Sequence, residues 1–236
     1  MNSSLCVIGD SITGGVIYKD DAGRYVRCKD SFLNLLGESL ELDIHNHSRF
    51  GCTSTSALER MDRYEKDISE CPNTLVMLGG NDSDFDWPSV AETPEAEHDC
   101  NTPIERFIES YSRVLDKIIA LGSRPLVLNL IPVFGRRYFK WFSKRADPDS
   151  LMRFLGTTDS IEHWNEMYNL AVMKVAVSRN APVLDVRSAF LYRRAFDALF
   201  SSDGIHPSVE GHRKMYEFLL PQFKPVMALT IIAGVA

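Results

Sequence analysis

Short apolar, β-branched runs alternate along the chain with longer stretches in which apolar residues recur every three or four positions. The short runs have the length of strands, and the longer ones have the periodicity of amphipathic helices. Strands that alternate with helices form a parallel sheet covered on both faces. The sequence therefore predicts an α/β fold, a doubly wound sandwich. The predicted strands are residues 5–8, 42–46, 74–78, 125–130 and 182–186.

Helical periodicity fills the intervals between these strands. Four covering helices are predicted within residues 30–41, 54–69, 103–122 and 160–180. A closing helix is predicted to begin at Pro207, because proline is tolerated in the first turn of a helix, where an N–H is not needed. We expect one domain spanning residues 1–236, since a chain of this length with 44% hydrophobic residues can bury a substantial core.

Three stretches interrupt the alternation. Residues 16–28 contain two short strand-like runs around an Asp-Asp-Ala-Gly turn, a pattern that predicts a β-hairpin. Residues 83–102 form an acidic loop, and residues 135–156 are rich in aromatic and basic side chains. Two interpretations of the last stretch remain open. In the first interpretation, its aromatic and basic groups shape a binding pocket. In the second, it is an amphipathic helix that packs its aromatic groups on the core.

Charge and cysteine content exclude several classes of protein. A formal net charge of -6 argues against a nucleic-acid partner, because binding phosphates requires a cationic field. Five cysteines, odd in number and widely spaced, indicate neither a disulfide framework nor a zinc site. We expect reduced thiols, no metal site and no cofactor.

The two ends of the chain bear on its location. The N-terminus has no basic region followed by a long apolar run, so we expect a cytoplasmic protein. The apolar tail, residues 225–236, is about half the roughly 20 residues that span a bilayer. We therefore expect no stable membrane insertion. The tail is instead predicted to pack on the domain or on a neighbouring subunit, which would make a homo-oligomer.

Polar motifs follow the ends of the predicted strands. These are "GDSIT" at residues 9–13, "SRFGCT" at 48–53, "GGND" at 79–82 and, late in the chain, "SSDGIHPS" at 201–208. Ligands of open parallel sheets bind outside the carboxyl ends of the strands, so these motifs are expected to meet. Together they supply a hydroxyl, an imidazole, a carboxylate and amide donors. Those groups are the components of an acyl-transfer site.

Each candidate residue has a chemical role. Ser11 would be the nucleophile, held rigidly at the end of the first strand. His206 would be the base, and Asp203, three residues earlier, would accept from the imidazole and fix its tautomer. The developing oxyanion would be met by the backbone N–H groups of Ser11 and Gly51 and by the side-chain amide of Asn81. Glycine at position 51 would keep a side chain from blocking the substrate carbonyl.

In these four motifs the chain resembles the SGNH hydrolases, the GDSL-type esterase and lipase superfamily. The Ser, Gly, Asn and His of that superfamily correspond to Ser11, Gly51, Asn81 and His206. The resemblance implies a three-layer α/β/α sandwich with a flavodoxin-like five-stranded parallel sheet of order 2-1-3-4-5. It also implies a triad of Ser11, His206 and Asp203. The departure "GDSIT", with Ile and Thr after the serine, changes no group that the chemistry uses.

Other candidate residues are assigned structural roles. Asp82, Asp84 and Asp86 have the spacing of the first calcium ligands of an EF-hand, but Trp87 and Thr93 stand where that loop needs glycine and glutamate. His45 and His47 lack partners at metal-ligand spacing. Cys52, beside Gly51, has no base in sequence and is interpreted as a small packed residue. Asp10 is expected to hydrogen-bond the backbone around the serine turn.

The sequence thus predicts a serine esterase that acts through an acyl-enzyme. We expect short acyl groups, acetyl above all, on a polar alcohol or carbohydrate, because the three interrupting stretches would wall the pocket. These walls would carry the charged residues Asp84, Asp86, Arg136, Arg137 and Lys140. The residues that bind the substrate are not identified from the sequence. The alternatives are an acyltransferase or thioesterase on the same site and, from another class, a catalytically silent carbohydrate-binding protein.

Overall fold

The computed structural model describes residues 4–192 and 194–233. The strands are β1 (Ser4–Gly9), β2 (Val16–Lys19), β3 (Arg24–Arg27), β4 (Asp43–Asn46), β5 (Asn73–Met77), β6 (Arg124–Leu128) and β7 (Val183–Leu184). A two-stranded antiparallel hairpin, β2 and β3, stands apart from the main sheet. The main sheet has five parallel strands in the spatial order β4-β1-β5-β6-β7. Within the main sheet this is the order 2-1-3-4-5, which confirms the predicted fold.

Helices cover both faces of the sheet and its carboxyl edge. They are α1 (Phe32–Leu40), α2 (Ser54–Leu58), α3 (Glu65–Glu70), α4 (Trp87–Glu92), α5 (Ile104–Ala120), α6 (Gly135–Phe142), α7 (Pro148–Leu155), α8 (Asp159–Ser178), α9 (Ser188–Leu191) and α10 (Val209–Ala233). The closing helix begins at Val209 and not at Pro207. Pro207 instead forms a β-bridge with Phe200, and the Ser208 hydroxyl accepts a hydrogen bond from the Gly211 N–H at the start of α10.

Alternate residues of the strands enter two separate cores. In β1, Leu5 and Val7 contact the face covered by α1, α9 and α10, whereas Cys6 and Ile8 contact the face covered by α2, α3, α5 and α8. This follows from the two-residue period of a strand. With apolar groups on both faces, the strands read as continuous hydrophobic runs in sequence, as expected of a buried parallel sheet.

A third apolar cluster lies apart from both sheet faces. It joins α4, α6, α7 and the first turn of α8 through residues such as Trp87, Phe142 and Ile161. The acidic loop and the aromatic stretch predicted from the sequence therefore contain helices that pack on each other. The amphipathic-helix interpretation of residues 135–156 holds for α6, since Tyr138 and Phe142 are buried while Arg136 and Lys140 are exposed.

The last helix carries the apolar C-terminal segment. Phe223 and Met227 are buried in the core that α10 shares with α1. The rest of the segment predicted as a packing tail lies largely outside the description, which covers no side chain after Met227 and nothing after Ala233. Within the described part of the chain, no helix has the length and apolar character needed to cross a membrane.

Candidate active site

Ser11 lies in a tight turn that directly follows β1. The Asp10 carboxylate accepts from the Ile12 N–H at 2.8 Å, and the Asp10 carbonyl accepts from the Gly14 N–H at 2.9 Å. A side chain at position 9 could not fit, because a Cβ there would lie 2.1 Å from the Thr13 hydroxyl. These contacts hold Ser11, which is 6% exposed, at the end of the strand. The expected backbone role of Asp10 agrees with this geometry.

His206 lies on a short loop that is closed on itself. The Ser201 N–H donates to the His206 carbonyl at 2.8 Å, and the Ser201 hydroxyl donates to the Pro207 carbonyl at 2.9 Å. Gly204 adopts a φ of 79°, and a Cβ there would lie 2.6 Å from the backbone N of Tyr138 on α6. Only glycine allows the loop to adopt this conformation and to approach α6 this closely.

Asp203, His206 and Ser11 form one hydrogen-bonded row. The Asp203 carboxylate lies 2.6 Å from His206 Nδ1, and His206 Nε2 lies 2.8 Å from Ser11 Oγ. The second Asp203 oxygen accepts from the N–H groups of Ile205 and His206, each at 3.1 Å. Burial raises the pKa of Asp203, but these hydrogen bonds and the neighbouring imidazole outweigh burial and hold that pKa below its usual value. An imidazole so placed can accept the serine proton.

The loop after β4 carries Gly51 at its exposed tip. Gly51 has a φ of 69°, a left-handed conformation that favours glycine. No protein atom lies within 4 Å of a Cβ built there, so it is the backbone conformation that favours glycine within the described structure. That a side chain here would block the substrate carbonyl stays a prediction. In the part of the chain described, the N–H groups of Ser11 and Gly51 have no hydrogen-bond acceptor.

Asn81 lies on the loop after β5 and contacts the loop that carries Gly51. Its side-chain amide donates to the Cys52 carbonyl at 3.1 Å. The neighbouring Asp82 accepts from the backbone and side chain of Ser54, at 2.9 and 2.7 Å, which ties the same two loops together. Ser11, Asn81 and His206 line one pocket, and Gly51 lies beside it between Phe50, which lines it, and Cys52. The fold thus brings the predicted site residues together.

The pocket extends from Ser11 into the third apolar cluster. Its volume is about 410 Å³, within the range of about 300–1,000 Å³ typical of small-molecule sites. All three tryptophans of the chain line it: Trp87, Trp141 and Trp164. Its other walls include Leu130, Ile131, Pro132, Val133, Tyr138, Phe142, Ile161 and Ile205.

The charged walls predicted from the sequence are mostly absent from this pocket. Asp86, Arg136 and Lys140 are exposed elsewhere on the surface, and Arg137 is bound to the carbonyls of Asp197 and Phe200. The helical period of α6 explains this, because it turns Tyr138, Trp141 and Phe142 towards the pocket and the cations away from it. Asp84 and Arg145 are the charged residues of the interrupting stretches that do line it.

Asp84 stabilises the pocket wall, and it does not form a calcium-binding cluster with Asp82 and Asp86. Its two carboxylate oxygens accept from Trp87 Nε1 at 2.9 Å and from the Tyr138 hydroxyl at 2.6 Å. Burial raises the pKa of Asp84 to about 6. Asp82 instead faces Ser54, and Asp86 is exposed. The three carboxylates therefore diverge.

The other candidate residues, His45, His47 and Cys52, make contacts that fit structural roles. His47 Nε2 lies 2.8 Å from an Asp67 carboxylate oxygen, and His45 lies 3.5 Å from the same side chain. The Cys52 thiol is buried and lies 3.5 Å from the Ser56 hydroxyl. Burial raises the pKa of Cys52, so its reactive thiolate form is disfavoured.

Sequence reasoning missed two aromatic residues beside the imidazole. The Tyr25 ring, from the hairpin, lies 5.1 Å from the His206 ring, and the Phe50 ring stacks on His206 at 5.7 Å. Burial and the nearby Asp203 carboxylate raise the pKa of Tyr25. The position of Phe50 next to Gly51 was a usable signal, whereas Tyr25 reaches the site only because the hairpin folds back, with the Tyr18 N–H bound to Ser201.

A sandwich with this strand order and a serine at the end of its first strand has the arrangement of an SGNH hydrolase. The chain belongs to the GDSL-like lipase/acylhydrolase family, whose sequence model matches residues 7–214. The match confirms the resemblance found in the four motifs. No curated protein sequence matches the chain significantly.

Solved structures of the same fold include several esterases. A lipase/acylhydrolase from Enterococcus faecalis has 16% identity and a TM-score of 0.68, with 94% of this chain and 96% of that chain covered. An aryl esterase from M. smegmatis has 14% identity and a TM-score of 0.67, covering 94% and 99%. A carbohydrate acetylesterase family member from Sinorhizobium meliloti has 12% identity and a TM-score of 0.66, covering 96% and 99%. These likenesses show the fold.

Proposed function

We propose that this chain is a carboxylic ester hydrolase that uses Ser11, His206 and Asp203 as a catalytic triad. The observation that carries the proposal is the row of two hydrogen bonds, 2.6 and 2.8 Å long, that joins the three side chains at one end of the pocket. Serine is a weak nucleophile until a neighbouring base takes its proton, and this row supplies that base and the group that orients it.

The reaction proceeds in two halves. Ser11 Oγ attacks the ester carbonyl while His206 Nε2 accepts the serine proton, and the imidazolium then donates that proton to the departing alcohol. Water next attacks the acyl-Ser11 ester with the same imidazole as base, which releases the acid and restores the serine. Asp203 holds Nδ1 protonated, so that Nε2 is the free acceptor at the start of each half.

The negative charge that develops on the carbonyl oxygen requires fixed donors. The proposed oxyanion hole consists of the N–H groups of Ser11 and Gly51 and the side-chain amide of Asn81. The first two have no acceptor among the described residues, which supports this role. Donors that are already oriented are worth more here than in water, because no reorganisation is needed when the charge appears.

The size of the acyl group needs revision from the sequence-based expectation. A preference for acetyl or another short acyl group on a polar alcohol or carbohydrate was predicted from charged walls, and those charges lie mostly outside the pocket. The apolar pocket supports an ester with a larger apolar acyl part. The open side next to Phe50, which is 62% exposed, leaves room for a polar alcohol.

The alternatives differ in what accepts the acyl group. An acyltransferase or a thioesterase would use the same residues, and competition between water and added alcohol or thiol acceptors distinguishes them from an esterase. A catalytically silent carbohydrate-binding protein would have no need for a buried carboxylate, imidazole and hydroxyl in one hydrogen-bonded row. The 0% exposure of Asp203 and 4% exposure of His206 therefore favour catalysis.

Labelling with a fluorophosphonate tests the proposal directly, because such probes react with activated serines. The wild-type chain should be labelled stoichiometrically at Ser11, and the Ser11→Ala and His206→Ala variants should lose both labelling and ester hydrolysis while keeping the circular dichroism of the wild type. A matched Ser178→Ala change, at the exposed C-terminal end of α8 and not among the residues that line the pocket, should leave labelling intact. Turnover that persists in folded Ser11→Ala protein would reject the proposal.

A further inference from the structure

We infer that the pocket beside Ser11 takes the acyl half of the ester and that it favours an unbranched apolar acyl chain of roughly six to eight carbons over acetyl. This inference rests on the proposed function and concerns the substrate class of the same site. Three observations support it: the side of the ester on which the alcohol must leave, the apolar walls of the pocket, and the packed side chains that limit its length.

The position of the imidazole fixes which half of the ester enters the pocket. His206 Nε2 must reach the leaving oxygen to donate its proton, so the alcohol lies on the imidazole side of the ester carbon. On that side stand Phe50 and Tyr25, which contact the His206 ring at 5.7 and 5.1 Å, and Phe50 is largely exposed. The alcohol therefore leaves towards the open surface. The acyl carbon chain is directed away from these two rings, into the part of the pocket lined by the third apolar cluster.

The walls of that space suit methylene groups. They include Ile131, Val133, Trp141 and Phe142, and α6 packs the last two into the third apolar cluster. Two carboxylates line the pocket: both oxygens of Asp84 accept from Trp87 and Tyr138, and Asp10, next to Ser11, accepts from the Ile12 N–H. An apolar chain therefore displaces water from the walls without separating Asp84 from its two donors.

Packed side chains of α8 form the wall of the pocket within the third apolar cluster. Ile161 and Trp164 from the first turns of α8 line it, and the Trp164 ring is packed 4.6 Å from Phe85 and 5.9 Å from Phe154. Phe85 and Ile161 are at most 8% exposed, so the wall has little room to yield. A chain that reaches this wall should gain no more from further methylenes. The pocket thus has a preferred length as well as a preferred chemistry.

A chain-length series on one alcohol measures this preference. With p-nitrophenyl esters kept below their solubility limits, kcat/KM should rise by about fourfold per methylene from acetate to hexanoate, as full burial of each methylene would give. It should then level off or fall beyond about eight carbons, where the chain meets the wall formed by α8. A second series of alkyl acetates, in which only the alcohol lengthens, should show no comparable rise.

Val133 offers a way to shorten the pocket. It is partly exposed, lines the pocket and packs against the third cluster, so Val133→Phe places a ring in the space assigned to the acyl chain. We expect the hexanoate-to-acetate ratio of kcat/KM to fall at least tenfold in this variant. Val177→Phe is the matched control, because Val177 is 70% exposed on α8 and does not line the pocket. Its ratio should equal that of the wild type.

The outcomes separate this inference from the proposed function. No ester hydrolysis at all, or hydrolysis that survives Ser11→Ala, rejects the proposed function itself. Hydrolysis that depends on Ser11 but is fastest on acetate, that rises with the alcohol and not with the acyl chain, or that keeps its length profile in a folded Val133→Phe variant, rejects the acyl pocket alone. If Val133→Phe does not fold, the two chain-length series decide the question without it.

Discussion

The side-chain amide of Asn81 has two N–H bonds, and one of them is occupied by the Cys52 carbonyl. The other has no acceptor among the described residues, which leaves it for the substrate oxyanion. Asn81→Ala should therefore lower kcat by about 10²–10³, the usual loss for one oxyanion donor, with a small change in KM. Steady-state kinetics on the preferred p-nitrophenyl ester measure both constants.

Asn101→Ala is the control for that substitution. The Asn101 side chain donates to the Asn81 carbonyl at 2.9 Å and so supports the same loop without contributing an oxyanion donor. Its effect on kcat should be much smaller than that of Asn81→Ala. Equal losses in the two variants would mean that Asn81 acts through the shape of its loop, and a loss confined to KM would assign it to substrate positioning.

His212 should make the stability of the fold sensitive to acid. It is fully buried on α10 beside Phe32, and burial lowers its pKa from 6.5 to about 4. Below about pH 6.5 this residue is protonated in the unfolded chain, whereas in the folded chain it is protonated only near pH 4 and below. Stability should thus fall as the pH is lowered through that range, by up to roughly 3 kcal/mol from His212.

Urea denaturation of wild type and His212→Phe between pH 4 and pH 7 measures this contribution as a difference. The difference is needed because Asp10 and Asp84, whose pKa values burial raises to about 6, favour the folded state as the pH falls. The variant should lose less stability on acidification than the wild type. Val177→Phe, which adds the same side chain at an exposed position of α8 and removes no titratable group, should leave the pH dependence as it is. If the free energy of unfolding changed equally with pH in His212→Phe and in the wild type, His212 would not be a source of the acid sensitivity.

At the scale of elements, the contact between the His206 loop and α6 should be essential. Gly204→Ala forces an alanine into a left-handed conformation, at about 1–2 kcal/mol, and drives its Cβ to 2.6 Å from the backbone N of Tyr138. The loop must move, and with it Asp203 and His206. We expect kcat to fall by roughly a hundredfold, since displacements of about 1 Å have that effect.

Gly23→Ala is a matched control for the loop contact. Gly23, in the hairpin turn, has a φ of 59°, and no atom lies within 4 Å of a Cβ built there. The substitution should lower stability by a similar conformational cost while leaving kcat unchanged. Thermal melts and kinetics on both variants separate strain from displacement. Full activity in Gly204→Ala would show that the loop tolerates movement away from α6.

Strands and long helices were predictable from the sequence because their patterns are local. The first strand, predicted at residues 5–8, spans Ser4–Gly9, and the hairpin around Gly23 forms as expected. The start of the last helix was wrong, since proline suits both a helix start and the bridge that Pro207 forms with Phe200. Short helices such as α4 were missed, because their stability comes from packing against other elements and not from their own pattern.

At the scale of the molecule, two buried cores share one sheet, so we expect the chain to unfold as a single unit. Phe107 and Phe223 are both fully buried, on opposite faces of that sheet. Phe107→Ala and Phe223→Ala should each lower the stability by about 3–5 kcal/mol, a fall in Tm of roughly 6–20 °C for a chain of this size.

Calorimetry should show one transition in each of these variants, with equal calorimetric and van't Hoff enthalpies. Two transitions, of which only one moves with a given substitution, would contradict the single domain predicted from the sequence.

The meeting of the site residues was predictable from the sequence because it depends on the topology of the whole sheet. Ser11, Gly51, Asn81 and His206 come from four distant motifs, yet their meeting follows from one rule, that parallel strands end at the same edge. The pocket walls obey no such rule. They depend on how α4, α6 and α8 pack above that edge, which decides that Trp141 faces the pocket while Lys140 is exposed. The preference for short acyl groups was expected because charged residues such as Lys140 were placed in the pocket wall, but the packing of α6 directs them away from the pocket.

The confinement of all three tryptophans to the pocket walls makes the protein its own optical probe. Indole emission excited near the red edge of its absorption band comes from Trp87, Trp141 and Trp164 alone, and therefore from the pocket. Filling the pocket with an apolar chain removes water from these rings and should shift their emission to shorter wavelength. In Ser11→Ala protein, which should bind an ester without cleaving it, this shift would report equilibrium binding without an added label.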